Sequence, residues 1–392
     1  MKLRKRARLL LAVTPFLAGC GNFWQAPSGS SGSGSTTTTL SSGYFYVINQ
    51  ATSQIVAYDI NTGALNQIGA YTLAAAPSAI AIAPNGNFLY VSTLAGIYLY
   101  SIGSGGGLTI GNNGGVVSSD PASSIAVDTS GAWLLDAVQG TSGVTLSATP
   151  ITSSGIFTGG TVGTRSFSFA ASTASVHQMA ISSDNANVFV ALGTGGTIVD
   201  PFTAGNTNPL GSNAVVIPVV TTGGAALSIA VDPSVRLFYI GESLASGGST
   251  GGLRVFNYSS LGGTLTQATG SPIASGGGAP DSILPIGSGD YVYVANGTGL
   301  TSDGNITGFS ITSTNGVYTV AKSSSVTAGV QPCGLAEDSN ANFVLSACAG
   351  GGPDFEAYIF DTTTAGQLDA TTITSNNSTT NPQSIAVAAV AP

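Results

Sequence analysis

The sequence predicts an all-β fold: a seven-bladed β-propeller whose first and last strands close the final blade. Three observations predict it. One short motif recurs seven times, the composition suits strands and tight turns, and the two ends of the repeat array carry complementary defects. Of the 392 residues, 43% are hydrophobic, 7% are charged and 55 are Gly. Typical soluble domains carry about 25% charged residues. Here Gly, Ser, Thr, Asn and Ala fill the surface, a mix that disfavours long helices and favours hairpins.

The recurring unit is a small or Pro residue, then Ser-Ile-Ala-Val or a variant, then a turn, then an aromatic and β-branched strand. Anchored on Ile80, Ile125, Met179, Ile229, Ile283, Leu335 and Ile385, the spacings are 45, 54, 50, 54, 52 and 50. Periods of about 40–50 residues with four short strands each describe propeller blades. The Ser-Ile-Ala-Val strand is built of small residues, as an inner strand crowded around an axis must be. Turns such as Pro84-Asn85-Gly86-Asn87 and Asp232-Pro233-Ser234 follow it. Alternating second strands come next (Phe88-Leu89-Tyr90-Val91, Tyr291-Val292-Tyr293-Val294). Third strands such as Ile97-Tyr98-Leu99-Tyr100 and a weaker outer strand complete each unit.

The ends fit together. Tyr44–Ile48 and Ile55–Ile60 are second- and third-type strands with no inner strand before them, whereas Ser384–Val387 is an inner strand with nothing after it. Pairing the two completes a seventh blade and removes two open sheet edges. The domain thus runs from residue 44 to 392.

Ahead of it, Lys2, Arg4, Lys5, Arg6 and Arg8 precede an apolar run from Leu9 to Leu17. That run is too short for a spanning helix and reads as the core of a signal peptide. Leu17-Ala18-Gly19-Cys20 resembles the lipobox of bacterial lipoproteins. The resemblance implies a signal peptide over residues 1–19, lipidation of Cys20, and membrane attachment through that lipid. Gly21 in place of Asp implies the outer membrane, so the expected location is the cell envelope. Residues 20–43 then form a Gly/Ser/Thr tether. Past residue 20 only four basic residues, Arg165, Arg236, Arg254 and Lys322, stand against 17 acidic ones, a net charge of −13. Such a body repels phosphate backbones and excludes nucleic acid as a partner.

Tyr46-Val47-Ile48-Asn49, Tyr58-Asp59-Ile60-Asn61-Thr62-Gly63 and Tyr293-Val294-Ala295-Asn296 resemble the YVTN-type propeller repeat. Ile82-Ala83-Pro84-Asn85-Gly86 followed by Phe88-Leu89-Tyr90-Val91 is similar to the lactonase-type seven-bladed propellers related to 6-phosphogluconolactonase. The resemblance covers residues 43–392. These motifs specify a fold more than an activity.

Cys333 and Cys348 are equidistant from the turn near Asn340–Ala341. In a regular hairpin they face each other, so a disulfide closing about 16 residues is expected, stabilising by about 3 kcal/mol in the loop-entropy model.

The single histidine, His177, bounds the chemistry. Any Ser-His-Asp arrangement must use it, and a His-rich zinc site is excluded, so no metal or other cofactor is expected. Gly247-Gly248-Ser249-Thr250-Gly251 matches a nucleophile-elbow pattern, but it lacks the following helix that an elbow needs. Asp338-Ser339-Asn340-Ala341-Asn342 opens like a calcium loop, but Phe343 and Ala349 occupy its Gly and Glu positions. Asp303-Gly304-Asn305 reads as a hairpin turn. Glycine-rich runs precede strands, not helices, so phosphate binding has no support.

His177 precedes an inner strand, where the blades converge on one mouth of the central channel. Ser78, Ser123, Leu227, Asp281, Cys333 and Gln383 are its equivalents. Val176-His177-Gln178-Met179-Ala180 resembles a His-containing pattern of lactonase-type propellers, without its Pro. The resemblance implies that His177 acts as base or donor towards a lactone carbonyl, with Asp281 facing the same opening. Asp136, Glu242 and Asn296, near second-strand ends, are expected to complete a polar binding ring. Two functions follow. The few ionisable groups favour a monomeric scaffold that binds a protein, glycan or small molecule at the mouth. The alternative is a lactonase-like hydrolase working in the channel.

Overall fold

The computed structural model describes residues 43–392 apart from 62–63, 159–162, 170–173, 235, 259–264, 298–301, 339–340, 376–381 and 389–392. The expected signal peptide, Cys20 and tether therefore lie outside the described residues. The rest is a ring of seven antiparallel blades.

Blade 1 comprises Pro77–Ile82, Phe88–Thr93, Gly96–Ile102 and Leu108–Ile110. Blade 2 comprises Ser124–Val127, Trp133–Gln139, Gly143–Pro150 and Gly163–Ser168. Blade 3 is Gln178–Ile181, Asn187–Ala191, Thr197–Pro201 and Val215–Ile217; blade 4 is Ala226–Val231, Leu237–Ser246, Thr250–Asn257 and Thr266–Gln267. Blade 5 is Ala279–Pro285, Tyr291–Gly297, Asp303–Thr314 and the first part of a long strand, Val317–Glu337. The end of that strand is the inner strand of blade 6, which continues through Phe343–Gly351, Phe355–Phe360 and Leu368–Ser375. Blade 7 joins Pro382–Ala388 to Tyr44–Asn49, Gln54–Asn61 and Ala64–Thr72.

The closure takes the expected register, with Val47 opposite Ile385 and Tyr46 opposite Ala386. Each inner strand packs against the next, and that of blade 7 against that of blade 1. The Ser of the repeat motif has a physical reason. Ser124 Oγ accepts the Met179 amide at 2.9 Å, and Ser282 Oγ accepts the Leu335 amide at 3.1 Å. Ser228 Oγ donates to the Pro280 carbonyl at 2.6 Å, and Gln178 Oε1 accepts the Ile229 amide at 3.0 Å. Each bond runs from one inner strand to that of the following blade, so the motif stitches the ring.

The aromatic second strand latches the periphery in the same way. Tyr46, Tyr90 and Tyr293 are fully buried, and their hydroxyls donate to the carbonyls of Gly106, Gly155 and Gly366, each in the next blade's outer hairpin turn. Two residues before each Tyr, another aromatic ring (Tyr44, Phe88, Tyr291) fills the space that a Cβ on that glycine would take. Gly366, at φ +76°, needs glycine for both reasons.

Two expectations are corrected. Asp303-Gly304-Asn305 begins the 12-residue third strand of blade 5, because the long strand Val317–Glu337 pairs with it as far as Asp303. The expected disulfide does not form: Cys333 and Cys348 are both thiols. The hairpin keeps the expected pairing as far as Gly334–Ala347, after which a bulge sets Cys348 opposite Pro332 and leaves Cys333 as the extra residue. Asp338 Oδ1 accepts the amides of Asn342 and Phe343 at 2.6 Å each.

Candidate active site

The bulge beside Cys333 recurs in all seven blades. The pairing skips Ser78 in blade 1, Leu227 in blade 4, Asp281 in blade 5, Cys333 in blade 6 and Gln383 in blade 7. In blade 2 the Ser123 amide bonds Ala137 O, the residue Ser124 already faces; in blade 3 the His177 amide bonds Ala191 O, opposite Gln178. A bulge leaves one residue out of the ladder and re-aims it. Here seven such residues form a rim where the inner strands begin. His177 and Asp281 belong to it, separated by the Leu227 blade. Asp281 and Cys333 are near enough to interact electrostatically.

His177 is exposed at the rim, and partial desolvation by the protein beside it lowers its pKa below the usual 6.5. Its Nε2 lies 3.0 Å from Ser175 Oγ. The preceding amide, Val176 N–H, donates to Gln139 Oε1 of blade 2 at 2.9 Å, fixing the approach to His177. Asp281 is half-buried, and burial pushes its pKa up to about 6.

Glycine stands beside both groups, and at Gly193 the backbone, at φ +57°, also calls for it. A Cβ on Gly193 would lie 3.2 Å from His177 Nε2, and one on Gly297 would lie 2.8 Å from Asp281 Oδ2. The equivalent positions in the other blades are Leu94, Gln139, Ser243, Ala349 and Gln50. Glycine occurs there in the two blades whose rim residue is His or Asp, and in no other.

The remaining expected ring residues stand elsewhere. Asp136, Glu242 and Asn296 are at most 1% exposed. Asp136 faces Ile125 in mid-strand, where other blades carry Val91, Val190, Ile240 and Val294. Burial, reinforced by Asp120, raises its pKa to about 7. Glu242 accepts from Arg254 Nη1 at 2.5 Å and from the Val220 amide at 2.9 Å. The Asn296 side chain donates to Ser275 O and Val294 O. Their polarity serves the interior, and a second-strand end read from sequence does not distinguish a rim position from the layer beneath it.

Sequence reasoning missed Ser175, Gln139 and Gln331. Gln331, at φ +53°, reaches to within 3.7 Å of the Gly297 Cβ position. Ser175 and Gln331 both stand two residues before a bulge, a periodic place that the repeats contain.

No rim residue among those described is cationic. Arg165 lies 3.9 Å from Asp200 between blades 2 and 3, and Arg236 pairs with Asp232 at 2.8 Å in a turn on the opposite face. Arg254 is buried against Glu242, and Lys322 lies on the outer strand of blade 5. Two clefts of about 340 and 330 Å³, beside Arg236 and Tyr318 and beside Phe88 and Ile151, also open on that opposite face, away from His177. Among the described residues no group of three His, Cys, Asp or Glu side chains is placed to hold a metal ion.

A family model described as lactonase, 7-bladed beta-propeller matches residues 30–154. No curated protein matches the sequence. Among solved structures, a Bacteroides fragilis protein described provisionally as a 6-phosphogluconolactonase is 16% identical, with a TM-score of 0.69 over 90% of this chain and 99% of that one. The periplasmic gluconolactonase of Pseudomonas aeruginosa is 16% identical, with a TM-score of 0.68 over 89% and 99%. A Sulfolobus tokodaii protein described as a hypothetical selenium-binding protein is 10% identical, with a TM-score of 0.64 over 88% and 93%.

Proposed function

From the premise that this chain is a seven-bladed β-propeller of the lactonase type, we propose that it hydrolyses an uncharged lactone at the rim that holds His177 and Asp281. The comparisons favour this reading over a purely binding scaffold. The observation that carries it is the clearance around the two groups: glycine stands beside His177 and Asp281, and beside none of their equivalents.

His177 is the base. Its lowered pKa keeps the imidazole neutral at pH 7, so it accepts a proton as water attacks the lactone carbonyl. The ring C–O bond then breaks, and the imidazolium returns the proton to the departing alkoxide, giving the hydroxy acid. Ser175, 3.0 Å from Nε2, orients the ring. Asp281, with a pKa of about 6, is mostly ionised at pH 7 and orients the water or a substrate hydroxyl. The lack of a cation at the rim and the net charge of −13 past residue 20 disfavour a phosphorylated substrate. We also propose that Cys20 tethers the domain to the cell envelope.

The test is hydrolysis of a panel of neutral and anionic lactones by the protein and by His177→Gln. Turnover of neutral lactones that falls at least 100-fold in the variant supports the reading. Equal turnover in both proteins, or none in either, refutes it.

A further inference from the structure

The bulge position between the two ionisable groups is apolar. Blade 4 lies between the His177 and Asp281 blades, and its bulge residue is Leu227, half-buried at the level where the other blades present Ser78, Ser123 and Cys333. A second leucine stands across the ring. Leu94, in blade 1, occupies the position that is Gly193 in blade 3 and Gly297 in blade 5, and at 77% exposure it is among the chain's most exposed large apolar side chains. In a seven-fold ring blade 1 lies opposite blades 4 and 5, so Leu94 and Leu227 stand at the same end of the ring, on opposite sides of its axis.

Both leucines break the local rule. Most of this surface is Gly, Ser, Thr and Asn, and a tight hairpin tip such as Thr93–Gly96 favours polar residues. A sugar-derived lactone offers a hydroxyl on nearly every carbon. Each hydroxyl facing a leucine loses its water contact without gaining a partner. An alkyl chain at the same place gains by leaving water.

We propose that Leu227 and Leu94 set the specificity of the rim for lactones bearing an alkyl substituent, the ring lying between His177 and Asp281 and the chain lying on Leu227. The proposal rests on the hydrolytic reading for turnover, but not for binding. Burial of each methylene tightens binding about fourfold. γ-Nonalactone carries four more methylenes than γ-valerolactone, so half-burial of the added chain gives at least tenfold tighter binding.

His177 is the only histidine, so its ring resonances report binding without any need for turnover. The experiment titrates the protein, its Leu227→Ser variant and its Leu94→Ser variant with γ-valerolactone, γ-nonalactone and glucono-δ-lactone. It follows the His177 signals by NMR, and hydrolysis in a pH-stat. The expected result is tighter binding of γ-nonalactone than of γ-valerolactone by at least tenfold, reduced to under threefold by Leu227→Ser and partly reduced by Leu94→Ser. Leu94 is so exposed that its variant folds normally, which guards against a folding artefact at Leu227. Leucine-dependent binding of γ-nonalactone without hydrolysis upholds the specificity and sinks the hydrolytic reading. Hydrolysis of glucono-δ-lactone with no alkyl preference does the reverse. Binding of no lactone, or a preference that both serine variants retain, overturns the proposal.

Discussion

Asp136 stands in the interior where an aliphatic residue belongs. Its side chain lies between blades 1 and 2, and Oδ1 has no hydrogen-bond partner among the described residues. Burial and Asp120 raise its pKa from 3.8 to about 7. At 1.36 kcal/mol per pKa unit, keeping it ionised at pH 8 costs the folded state about 4 kcal/mol. Between pH 4 and 7 the folded state binds more protons at this site than the unfolded chain. Its contribution is therefore most favourable below pH 4 and is lost as pH rises through 7. Asp136→Val installs the residue found at this position in blades 1, 3, 5 and 7. The variant is expected to exceed the parent in stability by about 1–3 kcal/mol at pH 4, the cost of the still unpaired oxygen. At pH 8 the ionisation cost adds to this, and the gain is larger by about 4 kcal/mol. Urea unfolding at half-unit steps from pH 4 to 8 measures the difference. Stability curves that run parallel across this range for the two proteins would refute the argument, because the variant would then have removed no titration.

Three further outcomes are expected. The His177 ring signals titrate with a pKa below 6.5, and lactone turnover rises with pH through that same value to a plateau near neutrality, because only the neutral imidazole accepts a proton; NMR and initial rates on one sample compare the two. Gly297→Ala places a Cβ within 2.8 Å of Asp281 Oδ2, so turnover falls about tenfold while the unfolding midpoint changes little, since the backbone there is not at positive φ. Ser282→Ala strands the buried Leu335 amide and costs about 1–3 kcal/mol in urea unfolding, without affecting the His177 titration.

The fold was legible because the repeat is also the packing unit. The Ser of Ser-Ile-Ala-Val bonds the neighbouring blade from blades 2, 4 and 5, and the Tyr of the second strand latches the next outer hairpin from blades 1, 5 and 7, so both recur in the sequence because the same contact is made more than once around the ring. The site was half legible. His177 and Asp281 align with residues that do not match them, and such a break in a repeat marks a position released from packing. Asp136 also breaks the pattern and was misplaced on the same ground. Its partner across the strand pair is Ile125, two residues inside the rim position Ser123, and a strand end inferred from hydrophobicity is not sharp to two residues.

The failed disulfide and the candidate site share one cause. The pairing that set Cys333 opposite Cys348 assumed an uninterrupted ladder, and the ladder, followed from the turn, holds only as far as Gly334. The bulge that follows withdraws Cys333 from its partner. In blades 3 and 5 the same distortion takes His177 and Asp281 out of the sheet and turns them to the rim. A regular strand would alternate these side chains between the two faces of the blade, where neighbouring blades bury them. The extra residue per inner strand thus takes seven positions around the axis out of the ladder, although Cys333 still packs against the core between blades 6 and 7. The sequence can then vary them as Ser, His, Leu, Asp, Cys and Gln without disturbing the ring. Chemistry in this fold is therefore expected at the bulges and at the residues that give them room, which is why Gly193 and Gly297 are as informative about function as the ionisable groups beside them.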